Sequence, residues 1–338
     1  MNANEIVLDP LAEAANALPK WAVSLGLNHF SASQAIINDG KWIFQYGLLT
    51  QSQRRDLLKP NSAMMAGVCV NNVLQDYYSD IVWSFGPHGK LTPTDNFFKG
   101  RNKDEIKQKH LNNFKEFQAP SEKEQIKKDK YEDEISTVIN NGFLALEKIG
   151  VAQASFITAE RQISLQHPAL SIPIVGRTDA ELQNSKDGIP FAILEFKTSW
   201  SKLGKAKKNG ERSFILSTPP ATPSFNHLMQ CSFYAAANDY QVPIKLIYLT
   251  AKGFEIYDSN NCAALTAVGL KKSFERMLKI LKRRQRLLQM FEDLPRELIL
   301  TNFADLVDPM WDHPYAWYGL DPEVMQMAKH LFGEEYDA

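Results

Sequence analysis

A change of hydrophobic period near residue 150 constrains this chain most. Before it, over residues 63–148, apolar residues recur mainly at helical spacing. After it come three runs rich in Ile, Val, Phe, Thr and Leu, at 153–166, 172–183 and 190–199. They are divided by His167-Pro168 and by Ser185-Lys186-Asp187-Gly188. Asp-Gly between apolar runs signals a hairpin, so the spacing predicts three consecutive strands in a meander. On the last run, FAILEFKTSW, Glu195 and Lys197 stand two apart and leave the same face of an apolar strand. Charge in such a place is costly unless it is paired or used.

The flanking segments complete an α/β expectation. Residues 1–60 read as short helices, with Ser31 or Ser33 capping one that Gly40 stops. Residues 63–83 predict a helix along Met64, Val68, Val70, Leu74, Tyr78 and Ile81, and 86–100 predict a loop. Residues 101–134 carry nine basic and nine acidic side chains, which reads as the solvated face of one helix ending at Gly150. A basic loop is expected at 200–222, a helix at 224–238, a strand pair at 243–250 and 253–258, and a long helix over 264–291. The expected architecture is a mixed central sheet of about five strands flanked by helices. Three parts are expected: a helical part (1–150) covering a cleft, a core (151–291) and an acidic, aromatic segment (292–338).

With 338 residues, 44% of them hydrophobic, the chain can bury a substantial core. No run of about 18 apolar residues occurs, so no membrane span or membrane partner is expected. The start lacks a basic flank followed by an apolar block. That predicts no secretory leader and a cytoplasmic protein, bacterial or, if phage-encoded, in the host cytoplasm. Cys69, Cys231 and Cys262 are scattered, which excludes a zinc ribbon and suits a reducing compartment. No GxxxxGK[ST] segment supplies a nucleotide-driven motor. The net charge of −1 hides a segregation: residues 292–338 hold eleven acidic and two basic side chains, leaving +8 on the rest. Residues 271–286 alone hold eight basic and one acidic, with Phe274, Met277, Leu278 and Leu281 as a buried stripe. Lys279 and Arg283 then lie on a positive face fit to track a phosphate backbone.

Asp179, in IVGRTDAEL, comes alongside Glu195 if the second and third strands pair through Asp187-Gly188. Two carboxylates at one point repel, and a divalent cation with hard oxygen ligands, Mg²⁺ or Mn²⁺, relieves that repulsion. A lysine beside the cation can orient a water and favour its deprotonation, as metal-assisted phosphodiester hydrolysis requires.

These motifs resemble the PD-(D/E)XK nuclease superfamily, in particular its RecB-like, phage-type exonuclease branch. Val175-Gly176-Arg177 preceding Asp179 is similar to the family's G-x-x-D strand, and Glu195-Phe196-Lys197 to its E-x-K. Gln230 and Tyr234 match the Q-x-x-x-Y of the following helix. FSASQAIINDGKWIFQYGLL resembles the opening S-x-S helix, and AGVCVNNVLQDYY the G-x-x-x-H helix. The resemblance spans roughly residues 29–260. It implies a restriction-endonuclease-like core and Mg²⁺-dependent DNA cleavage from ends, in phage-type degradation, recombination or repair. It implies Asp179, Glu195 and the Phe196 carbonyl as metal ligands, Lys197 as the water-positioning residue, and Gln230 and Tyr234 as a pair that contacts the substrate strand and supports the site. The sequence departs where the family has a ligating His: that position is Asn71, which leaves metal preference open. Four-cysteine relatives carry an iron–sulfur cluster; three scattered cysteines predict none here.

Glu160 is a further metal-ligand candidate, or a surface carboxylate. Arg177, Thr198 and Ser199 are candidate phosphate contacts, and Lys202, Lys205, Lys207, Lys208 and Arg212 a candidate phosphate-gripping loop. Trp311, Tyr315, Trp317 and Tyr318 either stack bases or fill a core. His227 reads as structural. Expected partners are DNA, a single-strand-binding or recombination protein, or a second copy of the chain. Two other functions fit the same residues: an endonuclease on structured DNA, and a catalytically silent DNA-binding or assembly protein.

Overall fold

A computed structural model of the chain describes residues 18–85, 91–96, 102–151, 154, 156–186, 188–206, 212–290, 309–312, 316–317, 320 and 322–332. They divide into two units, both discontinuous in sequence. One comprises Pro60–Ile163 and Arg177–Ser273; the other comprises Met1–Lys59, Ser164–Gly176 and Phe274–Ala338.

The first unit is built on a seven-stranded mixed sheet, where about five strands are expected. The strands are β1 (Ile81–Phe85), β2 (Leu91–Asp95), β3 (Phe156–Ala159), β6 (Ala180–Gln183), β7 (Ala192–Thr198), β10 (Ile244–Thr250) and β11 (Gly253–Tyr257), in the order β11-β10-β7-β6-β3-β1-β2. The pairs β1–β3 and β7–β10 are parallel, and the other neighbours antiparallel. β1 and β2 are the two additional strands. The helix of 63–83 ends at Tyr78, Ser79 is extended, and the β-branched and aromatic run after Asp80 forms β1. Part of the expected 86–100 loop is β2.

Two of the three expected meander strands are each broken in two. The first becomes β3 and β4 (Gln162–Leu165), divided at Glu160, whose φ of 56° is left-handed. The second becomes β5 (Ile174–Arg177) and β6, divided at Thr178 and Asp179. β4 and β5 pair apart from the main sheet. A strand that changes partner must kink, and both kinks fall at carboxylates. A further hairpin, β8 (Lys202–Ala206) with β9 (Arg212–Ile215), occupies part of the expected 200–222 loop.

The helices of this unit follow from their caps and stripes. α5 (Ser62–Tyr78) starts where the Asn61 side chain accepts the Met64 N–H, 2.9 Å. The single helix expected over 101–148 is two, α6 (Lys103–Glu116) and α7 (Glu122–Ile149). α7 is capped by Ser121 and closed by Gly150 at φ 80°. Its stripe of Tyr131, Ile135, Val138, Ile139, Phe143 and Leu146 is buried, and packs with Val70, Val73 and Leu74 of α5 over Leu182, Leu194 and Phe196 of the sheet. A Cβ on Gly142 would lie 2.8 Å from Leu74, so glycine permits the α5–α7 approach. The charged run is not wholly solvated: Lys128 is 6% and Glu134 4% exposed. α8 (Phe225–Ala237) crosses between β7 and β10, capped by Ser224.

The second unit contains α1 (Lys20–Leu25), α2 (Ala32–Ala35), α3 (Asp39–Trp42), α4 (Gln51–Leu57) and α10 (Pro322–Leu331). It also holds most of α9 (Ala267–Met290), whose Phe274, Met277 and Leu281 are buried as expected while Leu278 is only half-buried. Its core includes Trp42, Phe44 and Trp317. Trp317 is buried, and the partly exposed Trp311 stacks on it at 4.4 Å between ring centroids. Tyr315 and Tyr318 lie outside the described residues. Among the described residues no helix is long and apolar enough to cross a membrane.

Candidate active site

The site is assembled where β6 and β7 part. β7 is paired with β6 only as far as Ala180↔Leu194. One residue beyond, the Asp179 carboxylate takes the place of a partner strand and accepts the Phe196 N–H at 2.6 Å. A strand residue sends its N–H and C=O off the same edge. The Phe196 carbonyl is therefore directed to the edge where Asp179 sits.

Glu195 is fully buried. Its Oε1 accepts from Lys197 Nζ at 2.5 Å, while its Oε2 is buried and has no hydrogen-bond partner. Burial, and then the neighbouring Glu195 charge, raise the Asp179 pKa well above the ordinary carboxylate range. Burial raises Glu195 too, against the pull of Lys197. Burial alone would lower the Lys197 pKa, but the Glu195 and Asp179 charges outweigh it and hold the ammonium cationic.

A relay of hydrogen bonds fixes Lys197 from behind. Lys197 Nζ donates to Gln230 Oε1 at 3.0 Å, Gln230 Nε2 donates to the Tyr234 hydroxyl at 2.9 Å, and that hydroxyl donates to the Arg177 carbonyl at 2.5 Å. Gln230 and Tyr234 are one turn apart on α8, which gives the Q-x-x-x-Y spacing its use. Tyr234 is 1% exposed, and its hydroxyl is taken up by Gln230 and the Arg177 carbonyl behind Lys197.

α5 closes the other side. A Cβ on Gly67 would lie 2.9 Å from Thr198 Oγ1, so the helix runs close against the end of β7. Two turns on, Gln75 Nε2 donates to Glu160 Oε1 at 2.9 Å and to the Asp179 carbonyl at 3.1 Å. Asn71 lies between them on the same helical face, and its buried Oδ1 has no partner. Gln75 is a site residue that the sequence reading missed, although it continues the Gly67, Asn71 spacing by one more turn. Glu160 sits at the strand break, paired with Arg177 at 3.2 Å, and its charge also raises Asp179 and Glu195.

Glu134 on α7 holds the segment after Thr198. Its carboxylate accepts the Ser201 hydroxyl, and the Ser201 N–H at 3.2 Å. Ser199 donates its N–H to the Leu249 carbonyl at 2.9 Å, which fixes the end of β7 on β10. Of the expected phosphate-gripping loop, Lys202 is exposed on β8; Lys207 and Lys208 lie outside the described residues. Lys205 and Arg212 fall on β8 and β9. Lys279 and Arg283 belong to the other unit, where Arg283 pairs with Asp39.

Among the described residues, no group of three or more His, Cys, Asp or Glu gathers as a metal centre by itself. The candidate donors are oxygens of mixed type: the buried Glu195 and half-buried Asp179 carboxylates, a strand carbonyl, and the Asn71 amide on the helix that runs past the end of β7. That set suits a hard divalent cation, and the unpartnered Glu195 Oε2 and Asn71 Oδ1 are what such a cation would satisfy.

No family model and no curated protein matches the chain. One solved structure, described as the crystal structure of SSO0001, is 20% identical over 51% of this chain and 70% of that chain, with a TM-score of 0.25.

Proposed function

We propose that this chain is a divalent-cation-dependent deoxyribonuclease with a PD-(D/E)XK-type core, cleaving DNA phosphodiester bonds as an exonuclease in phage-type DNA degradation, recombination or repair. The observation that carries the reading is Glu195. A fully buried carboxylate with one oxygen on Lys197 and the other without a hydrogen-bond partner, beside the half-buried Asp179, is an arrangement that a cation completes.

Asp179, Glu195, the Phe196 carbonyl and Asn71 would hold Mg²⁺ or Mn²⁺. Bound there, the ion supplies charge neutralisation for the phosphate and Lewis-acid activation of the attacking oxygen. Lys197 has three N–H donors. Glu195 and Gln230 take two, and the third remains to orient the attacking water or a phosphate oxygen. The Gln230–Tyr234–Arg177 relay limits the motion of that ammonium. Gln75 and Glu134 keep the flanking backbone, at Asp179 and at Ser201, in register with it.

The decisive experiment offers end-labelled linear DNA and covalently closed circular DNA to the full chain in Mg²⁺, alongside Lys197→Ala. Wild type should degrade the linear form and spare the circle. Lys197→Ala should be slower by about 10²–10⁴-fold, the usual worth of a positioned proton-transfer group. Equal behaviour of the two proteins would remove the nuclease assignment. Cleavage of the circle would turn it into an endonuclease.

A further inference from the structure

We infer that His227 is a substrate-contacting residue of the Lys197 site, its Nε2–H donating to a non-bridging oxygen of the phosphodiester held there. The inference rests on the nuclease reading and extends it to a residue that no motif of the resemblance includes.

Position is the first argument. His227 lies on α8 one turn before Gln230, on the same face, and Gln230 accepts from Lys197 Nζ. From the sheet side, Tyr248 of β10 stands opposite Lys197 in the parallel β7–β10 ladder. The Tyr248 hydroxyl is 2.7 Å from His227 Nδ1, and the two rings are 5.4 Å apart. His227, Gln230, Lys197 and Tyr248 thus form one patch from three adjoining elements, α8, β7 and β10.

The Tyr248 hydroxyl can give its proton to His227 Nδ1 or accept one from it, and the inferred contact requires the first. The Tyr248 oxygen already accepts the Ser224 N–H at 3.0 Å. Its proton, given to Nδ1, would leave the ring proton on Nε2. Among the described residues no hydrogen bond ends on Nε2, and the side chain is half-buried, not sealed in. Burial, and then the Lys197 charge, lower the His227 pKa to about 4. The ring is therefore a neutral, oriented donor at neutral pH and adds no second cation beside Lys197.

Such a donor has a use here. The phosphate gathers negative charge on its non-bridging oxygens as it is attacked, and fixed donors aimed at that charge are worth about 10²–10³-fold each when enclosed. Lys197 spends two of its three N–H groups on Glu195 and Gln230. A second donor close by would take up a phosphate oxygen that Lys197 cannot also reach.

The alternative is that the Tyr248–His227 pair merely pins α8 to β10, and three variants separate the two. Each is compared with wild type and Lys197→Ala on end-labelled linear DNA in Mg²⁺, with melting temperature and the Mg²⁺ activation midpoint measured in parallel. His227→Ala should lower kcat by about 10–100-fold, less than for an enclosed donor because the ring is half exposed. Its melting temperature and Mg²⁺ midpoint should stay at the wild-type values. His227→Gln, which keeps an N–H at similar reach, should recover most of the rate. Tyr248→Phe should fall between, because it frees the tautomer without removing the donor. In the resting protein, two-bond ¹H–¹⁵N spectra should show the Nε2–H form. A wild-type rate for His227→Ala, with Lys197→Ala still inactive, overturns the inference and leaves the nuclease standing. An equal loss in the Ala and Gln variants, or an Nδ1–H tautomer, also overturns it. Identical wild-type and Lys197→Ala reactions would instead remove the nuclease reading, and this inference with it.

Discussion

Arg284 and Glu195 are both buried charges, at 1% and 0% exposure, and the two units treat them oppositely. Arg284 on α9 donates to the carbonyls of Gln34 and Ile37 and to the Asp39 carboxylate, and its guanidinium lies 4.9 Å over the Trp42 ring. Burial lowers its pKa to about 10 against the pull of Asp39, so it remains a cation at neutral pH. All three of its nitrogens are hydrogen-bonded. Glu195 has one oxygen answered and one left bare. A fully satisfied buried charge is a strut that fixes α2 and α3 against α9. A half-satisfied one marks a place where a further group belongs.

The contrast can be broken most forcefully at Arg284. Arg284→Met takes the guanidinium away from two helix-end carbonyls and leaves Asp39 to Arg283. It should cost about 3–5 kcal/mol of stability in a denaturant titration, the range for breaking a buried pair. A loss below about 1 kcal/mol would mean that the network is no strut.

Gly67→Ala tests the close approach of α5 to Thr198. The added Cβ would fall 2.9 Å from Thr198 Oγ1, so helix or threonine must shift. The expected cost is about 1–3 kcal/mol by thermal unfolding, the usual range for overpacking. The loss of Mg²⁺-dependent cleavage should be larger than the instability alone explains. Unchanged cleavage would show that the Asn71 face of α5 can move without consequence.

Asp179→Asn sharpens the comparison from the other side, and its sign is reversed. The folded-state pKa of Asp179 is raised by burial and by Glu195. Its favourable contribution is complete below the ordinary carboxylate range and is lost as pH rises through the raised value. Without divalent cation, Asp179→Asn should match wild type near pH 4 and be the more stable by at least about 1 kcal/mol at pH 8. Added Mg²⁺ should stabilise wild type and leave the variant unmoved. A variant less stable than wild type at pH 8 without cation would mean that the two carboxylates are not in conflict.

Much of this was legible from period and order alone. The two-residue spacing of Glu195 and Lys197 and the four-residue spacing of Gln230 and Tyr234 are local patterns, and the structure brings those residues together; Asp187 of the expected Asp-Gly turn lies outside the described residues. What escaped was non-local. The breaks at Glu160 and Asp179 arise because each strand changes partner, and no propensity records a partner. The run of 101–134 conceals Glu134, whose burial depends on Ser201 donating to it from 67 residues away. Gln75 looks like any polar helix residue until Glu160 and Asp179 stand beside it. His227 reads as structural because its neighbour Tyr248 is supplied by a strand 21 residues later.

The parallel β7–β10 ladder also bears on the order of folding. Its strands are separated by the β8–β9 hairpin and α8, so the ladder closes a loop from Thr198 to Ile244 before its first hydrogen bond forms. The hairpins β6–β7 and β10–β11 are local and can form ahead of it. Asp179 therefore reaches Phe196 early, through the antiparallel half. Lys197 meets Gln230, and Tyr248 meets His227, only after the long loop has closed. The carboxylates come from the locally paired part of the chain and their lysine brace from the part that needs the long loop closed, so a refolding population should gather its acidic cluster before the groups that hold Lys197 in place, an order that pulsed hydrogen exchange during refolding checks.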